Sequence, residues 1–539
     1  MNEREGPNFA FDYTLEPIHF QFDVSHFMIN QSLDQNPPNL RELLEQRVHE
    51  APEKHFLFSE ADGRSFTYAE FNDAVNRSAA MLHSHGVQKG DVISFLLPNS
   101  VEYIIAYFAC WKLGALAGPV NSLLKAKEIA YVIANSEAKA LLAHSDFLPT
   151  ISGIRGELPA LQAIIPFEDE ARATLDFQAA LPPSDIKLGR DDEGIIIYTS
   201  GTTGKPKGCL LTHGNVIANA RQISEWLSFT ERDRLLTVMP LFHMNAVSVT
   251  TMSALNAGGS TVISPRFSAS RFWQIVSDYQ ITSFGSVATM LSMLLSTYPE
   301  GVPAGLKTHQ LRFAMCGSAP VPAEVMKKFE ETFHCPVVEG YGLSESTCRS
   351  TFNPPDERRR AGSCGLPIGN EMRVVDDQDT EVPDGELGEI ALRGENILKG
   401  YFKNPEATAR AFRSGWFHTG DIGYRDQDGF FYIVDRKSDM IIRGGENIYP
   451  REIDEVLYQH NAVAAAAVIG VPDKLYGEEV AAFIVLKDGM KVNEAEIISF
   501  CQERLADFKC PKRVKFVEEI PKGPTGKLLK RELAKLAVD

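Results

Sequence analysis

The 539-residue chain has eight cysteines and no CxxC pair among them (Cys110, Cys209, Cys316, Cys335, Cys348, Cys364, Cys501 and Cys510). That argues against a zinc site and a disulfide scaffold, and it fits a reducing compartment. No apolar run reaches the ~18 residues that cross a bilayer; the longest candidate, Tyr103–Pro119, is broken by Lys112 and glycines. The opening MNEREGPNFAFDY lacks the basic-then-apolar order of a signal peptide, and the closing LAVD carries no peroxisomal tripeptide, so a cytoplasmic location is expected. Excess positive charge is also missing. There are 54 basic against 71 acidic side chains, a net charge of −17. Such a surface disfavours nucleic acid as a partner, and any phosphate ligand needs a local device in place of bulk attraction. With 44% hydrophobic and 23% charged residues, neither disorder nor a collagen-like chain is in question. At about 150 residues per domain, the length predicts three or four folding units.

Residues 1–35 are polar and irregular and read as an N-terminal arm. Beyond them helical periods (Leu40–Val48, Tyr68–His85, Val101–Leu113) alternate with apolar strands (Asp91–Leu97, Gly194–Tyr198, Arg234–Met239, Thr261–Ser264, Arg312–Met315). That alternation predicts an α/β class, with parallel-type sheets covered by helices. Near residue 371 the pattern shifts to shorter strands, Glu371–Val375, Glu386–Arg393 and Gly429–Val434, with Asp428-Gly429 as a hairpin signal. This reads as a small distorted β subdomain. The last stretch reads helix (Pro450–Gln459), strand (Ala464–Gly470), strand (Glu479–Leu486), helix (Glu494–Leu505), strand (Val514–Glu518), a small α+β unit. The expected division is 36–434 for a large N-terminal domain, 435–440 for a hinge and 441–539 for a small mobile domain.

The segment Gly194–Gly208, GIIIYTSGTTGKPKG, carries the first chemical signal. An apolar strand runs into a loop of hydroxyls, glycines and lysines, and a helix is expected to begin near Thr212. Backbone N–H groups and the hydroxyls of Thr199, Ser200, Thr202 and Thr203 suit phosphate oxygens. Lys205 and Lys207 add charge, and Gly201 and Gly204 let the backbone approach closely. It is not a Walker A loop. Thr199 stands where that motif needs its first Gly, and Pro206 follows Lys205.

This loop resembles the signature of the adenylate-forming superfamily, which includes acyl-CoA synthetases, luciferases and peptide-synthetase adenylation domains. The resemblance extends from about residue 40 to 532, with several motifs in the family's order. It implies activation of a carboxylic acid by ATP to an acyl-AMP, followed by transfer to a thiol. In Val338–Ser346, VEGYGLSES, Glu345 is a hard oxygen donor suited to Mg²⁺. The resemblance makes it the metal ligand, with Ser344 replacing the usual phosphate-contacting Thr and Tyr341 along the adenine between Gly340 and Gly342. Gly317-Ser318-Ala319-Pro320 matches the stretch bordering the adenine. Alone, Asp421 in WFHTGD reads as a turn residue; by resemblance Asp421 and Arg436 hold the ribose. In PLFHMNAV, His243 matches the mouth of the carboxylate pocket, and Met244, Val249, Cys316 and Gly340 complete a short- to medium-chain acyl pocket. Amino-acid-activating relatives carry Asp where His243 stands. A buried ammonium without that partner is costly, so α-amino acids are disfavoured. Arg349 reads as a surface arginine; the alternative is an inward-facing guanidinium able to bind a second carboxylate.

In Pro521–Arg531, PKGPTGKLLKR, Lys527 matches the superfamily's catalytic lysine. It would neutralise charge as two anions meet, with no protein nucleophile required. The small domain is then expected to rotate and offer Arg443-Gly444-Gly445-Glu446 to the pantetheine arm, with Lys509 among basic residues near the CoA phosphates. Ser438 stands where relatives place the hinge Asp or Lys. The expected co-substrates and cofactors are ATP, Mg²⁺ and CoA, with a homodimer left open and no integral membrane contact. Some segments also resemble carnitine-type and medium-chain acyl-CoA ligases. A carrier protein as acyl acceptor and an inactive acyl- or nucleotide-binding regulator remain the alternatives.

Overall fold

A computed structural model of the chain describes residues 37–167, 185–199, 205–444, 446–521 and 529–536. The expected arm, residues 1–35, lies outside them. Two seven-stranded sheets dominate. In the first, Val337–Glu339, Phe313–Cys316, Ser283–Ser286, Arg234–Thr237, Ser260–Ile263 and His55–Ser59 run parallel in that spatial order, and Ser65–Thr67 closes the edge antiparallel. In the second, Glu193–Thr199, Leu116–Pro119, Val92–Leu96, Ala140–His144 and Ala163–Phe167 are parallel. This architecture matches the expected class. Between these strands come helices such as Tyr68–Ser84, Val101–Leu113 and His213–Trp226.

Val101–Leu113 is buried along its whole length. A helix that is apolar all round belongs in a core or a membrane. Here its one lysine settles the matter, because Lys112 Nζ lies 2.7 Å from Glu45 Oε1. No helix among the described residues is long and apolar enough to cross a membrane. All eight cysteines are free and buried.

One expectation about the second sheet needs correction. The phosphate loop does not lead straight to a helix. Strand Lys207–Thr212 first folds back antiparallel on Glu193–Thr199, with Thr199 opposite Lys207. The helix His213–Trp226 starts only then, where Thr212 and Asn215 cap each other reciprocally (3.1 and 2.8 Å). The two-residue strand Gly400–Tyr401 adds to the outer edge, with Tyr401 opposite Cys209.

The β subdomain is an antiparallel sheet of Glu371–Val375, Gly388–Arg393, Trp416–Arg425, Phe412–Arg413 and Phe431–Arg436. The Asp428-Gly429 turn falls where expected, and Gly429 takes the left-handed φ of 84°. The C-terminal α+β unit has its own core around Ile453, Leu457, Val468, Ala482 and Ile497. Its long hairpin pairs Val463–Asp473 with Gly477–Leu486, while Arg513–Phe516 joins the latter in parallel.

Candidate active site

Strand ends converge on one cleft. The strand Val337–Glu339 delivers Gly340, Tyr341 and Gly342, then a single 3₁₀ turn, Ser344–Ser346. A Cβ on Gly340 would stand 2.5 Å from the Phe352 ring, and one on Gly342 1.9 Å from the Cys348 carbonyl oxygen. Only hydrogen fits at either position. Glu345 is fixed through its backbone carbonyl, which accepts from Leu398 N–H at 2.8 Å. Its Oε1 accepts from Thr199 Oγ1 at 3.3 Å and from Tyr401 OH at 3.1 Å. The phosphate-loop strand and the metal-ligand candidate therefore touch. The Lys207 ammonium sits 5.2 Å from the Tyr401 ring centre, and that of Lys205 5.5 Å from Tyr131. Ser200, Gly201, Thr202, Thr203 and Gly204 lie outside the described residues.

The expected ribose pair is built by strand register. Asp421 and Arg436 are direct partners on neighbouring strands, so Asp421 is not the turn residue it resembles in isolation. It is buried, and it accepts from Arg436 Nε at 2.9 Å and from Tyr341 OH at 2.5 Å. The Asp421 charge in turn holds the Arg436 guanidinium pKa above its ordinary value. Burial, reinforced by that carboxylate, pushes the Tyr341 phenol well up. Asp421, Arg436, Tyr341, Gly340, Gly342, Ser318, Ala319 and Pro320 border a cavity of about 370 Å³. Arg451, Glu455 and Tyr458 of helix Pro450–Tyr458 close its far side. That helix is tied to the β subdomain: Arg451 N–H donates to Asp435 Oδ2 at 3.1 Å, and its guanidinium donates to the Ile433 carbonyl.

The expected acid side is built differently. His243 precedes a π-helical segment, Asn245–Met252, whose hydroxyls (Thr250, Thr251) bond back to the Ala246 carbonyl at 2.9 and 3.0 Å. Such segments recur at functional sites. Burial lowers the His243 pKa to about 4, and its Nε2 has no hydrogen-bond partner among the described residues. Met244, Val249 and Cys316 are buried around it in the core. Asn245 Nδ2 reaches Ser318 Oγ at 3.4 Å, which links this segment to Gly317 and the cleft. Arg349 corrects the surface reading: it is 2% exposed. Its N–H donates to Asn219 Oδ1 at 3.2 Å, and its carbonyl accepts from Asn219 Nδ2 at 2.7 Å.

On the small unit, Arg443 is held within that unit, 2.7 Å from Glu479 Oε1 and over the Tyr476 ring. Gly444 takes the left-handed φ of 61°, and Glu446 is exposed. The Lys509 ammonium is bound by Glu452 at 2.7 Å. Gly445 and Lys527 lie outside the described residues. Among the described residues, Arg443, Glu446 and Lys509 do not border the cleft. Ser438 is exposed, with its hydroxyl 3.2 Å from Asp439 Oδ1. Sequence reasoning missed Tyr401, since a two-residue strand nearly two hundred positions from the loop leaves no periodic trace.

Residues 44–402 match the AMP-binding enzyme family, and residues 452–527 match the AMP-binding enzyme C-terminal domain. The chain belongs to the AMP-binding enzyme family. It belongs to the adenylate-forming superfamily that includes the AMP-forming acyl-CoA ligases, and this fold carries out ATP-dependent acyl-adenylate formation. It is 35% identical over 505 residues to a sulfoacetate–CoA ligase of Cupriavidus necator, covering 92% of this chain and 97% of that one. It is 37% identical over 499 residues to a long-chain-fatty-acid–CoA ligase of Mycobacterium tuberculosis, covering 92% and 98%. Relatives named for such different acids match almost equally, so the likeness to any one subfamily is weak. The ATP-bound structure of MatB from Rhodopseudomonas palustris superposes with a TM-score of 0.87 at 30% identity, over 93% of this chain and 99% of that one.

Proposed function

We propose that the protein is a carboxylate–CoA ligase. It joins a small organic acid to the α-phosphorus of ATP, releasing pyrophosphate, and then passes the acyl group from AMP to the CoA thiol. The observation that carries this reading is Glu345, set between the Thr199 and Tyr401 hydroxyls beside the phosphate loop. One carboxylate plus substrate phosphates is the usual way a Mg²⁺ site is made, so the residues fit that ion. When bound at Glu345, the cation would supply neutralisation of phosphate charge. Asp421 and Arg436 would hold the ribose, with Tyr341 against the adenine. Ser344, and the loop hydroxyls and amides from Thr199 to Gly204, would meet the phosphates alongside Lys205 and Lys207. His243, neutral at working pH, would face the attacking carboxylate without adding charge.

Lys527 completes the adenylation site in this reading, brought in by a small domain of residues 441–539 that turns about residues 435–440. The same domain then presents Arg443, Gly444, Gly445 and Glu446 to the pantetheine arm, and Lys509 to the CoA phosphates, for the second step. Positioning and electrostatics supply the catalysis, because the acid arrives already ionised. Incubating the protein with ATP, Mg²⁺, a panel of carboxylic acids and CoA tests this: AMP release should depend on both acid and CoA. Release that needs a carrier protein in place of CoA would reassign the acceptor. No pyrophosphate with any acid would point to a non-catalytic binder.

A further inference from the structure

Arg349 is the largest charged side chain fully buried in the core, and the nearby buried Glu339 carboxylate feels its charge without forming an ion pair with it. It is 2% exposed, and among the described residues its Nε and Nη2 have no hydrogen-bond partner and it forms no ion pair. The Phe352 ring lies 5.4 Å from its guanidinium carbon. A guanidinium cannot shed its proton to escape this cost, and isolating it from water without acceptors is heavily unfavourable. Its backbone is not the reason it lies inside. The Arg349 N–H and carbonyl are both taken by Asn219, and the carbonyl also by Asn396.

The tip of the side chain ends at the site. A Cβ on Gly317 would stand 2.5 Å from Arg349 Nη2 and 2.6 Å from the Gly340 carbonyl oxygen. Gly317 therefore leaves room for the guanidinium beside Gly340, which borders the cleft. The Asn245–Ser318 contact brings the His243 segment to the same place. Among the described residues Asn245 Oδ1, His243 Nε2 and Glu339 Oε2 are also buried without partners. Arg349 and Asn245 thus carry unsatisfied polar atoms on either side of the Gly317-Ser318 step, next to the buried Cys316.

We propose that Arg349 binds a second anionic group on the acid, so that the preferred substrates are short dianions, dicarboxylates or sulfocarboxylates, and not simple fatty acids. This rests on the adenylation reading above. One carboxylate goes to the α-phosphorus, and the other anion takes the planar fork of donors on Arg349. A monoacid of the same length would leave that fork empty and buried.

The test compares succinate with butyrate and glutarate with valerate in pyrophosphate release, with 3-sulfopropionate to separate carboxylate from sulfonate. The wild-type protein should favour each dianion over its matched monoacid by at least roughly 100-fold in kcat/KM, as expected when a buried polar site is left unmatched. Arg349→Met should collapse that ratio towards 1, and Arg349→Lys should restore part of it. The wild-type ratio decides the matter even if a variant fails to fold. Monoacids used as well as dianions would overturn the inference, as would a preference that survives Arg349→Met. Pyrophosphate release with neither class would instead remove the adenylation reading, and this inference with it.

Discussion

The two halves of the cleft treat their polar groups in opposite ways. On the nucleotide side, among the described residues, Asp421 holds Arg436 and Tyr341, and Glu345 holds Thr199 and Tyr401. On the acid side the polar atoms of His243, Asn245 and Arg349 are buried with partners missing. ATP is the same molecule in every such enzyme, so its half can be preorganised by internal contacts that hold side chains in place. The acid is what distinguishes one enzyme from another, and on the proposed acid side the unmatched polar groups would be satisfied only by a ligand that fits them. Specificity then comes from the penalty left when a wrong ligand fills the pocket.

The largest expected effect tests whether the paired half suffices for chemistry. Lys527→Ala should lower adenylation by roughly 10³-fold in pyrophosphate release, by analogy with the removal of a transition-state cation. Conversion of supplied acyl-AMP to thioester should stay within about tenfold. Gly445→Leu should show the reverse pattern. Equal losses in both half-reactions for either variant would count against a rotating small domain. Next in size, Asp421→Ala takes the shared acceptor from Arg436 and Tyr341. The KM for ATP should rise by roughly 10- to 100-fold, since charge-assisted hydrogen bonds are each worth about 1.5–3 kcal/mol, while discrimination among acids is unchanged. A change in acid preference would show that the two halves are not separable.

Tyr401→Phe keeps the ring over Lys207 and removes one donor to Glu345. A loss of roughly three- to tenfold in adenylation is expected, matching one hydrogen bond. An unaltered rate would mean that Thr199 alone orients the carboxylate. The smallest effect concerns stability and belongs to the acid side. Burial holds His243 at about 4, below its ordinary 6.5, so the unfolded chain takes up that proton first. Its penalty is absent above pH 6.5 and grows as the pH falls towards 4. The melting temperature should fall more between pH 7.5 and 5 in the wild type than in His243→Asn. His213, held at about 4 by the same cause, keeps its share of the loss in both. Parallel falls in the two proteins would show that His243 is not kept neutral.

Much of the nucleotide half was legible in the chain because its chemistry is written in contiguous words. The Thr199–Lys207 loop, the Tyr341–Glu345 run and the Thr419–Asp421 turn-like element each fit within ten residues. The ribose pair was readable as types and positions, yet not as strand partners, since register depends on the intervening hairpin. The acid half was less legible. A lone arginine in STCRSTF has no period to declare its face, and exposure is the commoner state for its type. Its backbone is held by Asn219 and Asn396, more than a hundred residues before it and nearly fifty after it, contacts that no local pattern announces. The return strand Lys207–Thr212 was hidden for a related reason. KGCLLT is too short and too one-sidedly apolar to be told from the lead-in of the helix that follows.

That return strand has a consequence for how the protein greets a triphosphate. In many nucleotide sites the loop opens straight into a helix whose positive pole sits against the anion. Here six residues of strand intervene, about 20 Å of chain at 3.4 Å per residue, so that pole begins far downstream. Besides the loop amides and hydroxyls, full counter-charge then comes from the Lys205 and Lys207 ammonium groups and from dissolved cations, which ionic strength screens. Nucleotide capture by this enzyme is thereby made a matter of mobile charge, and its affinity should fall steeply as salt is raised.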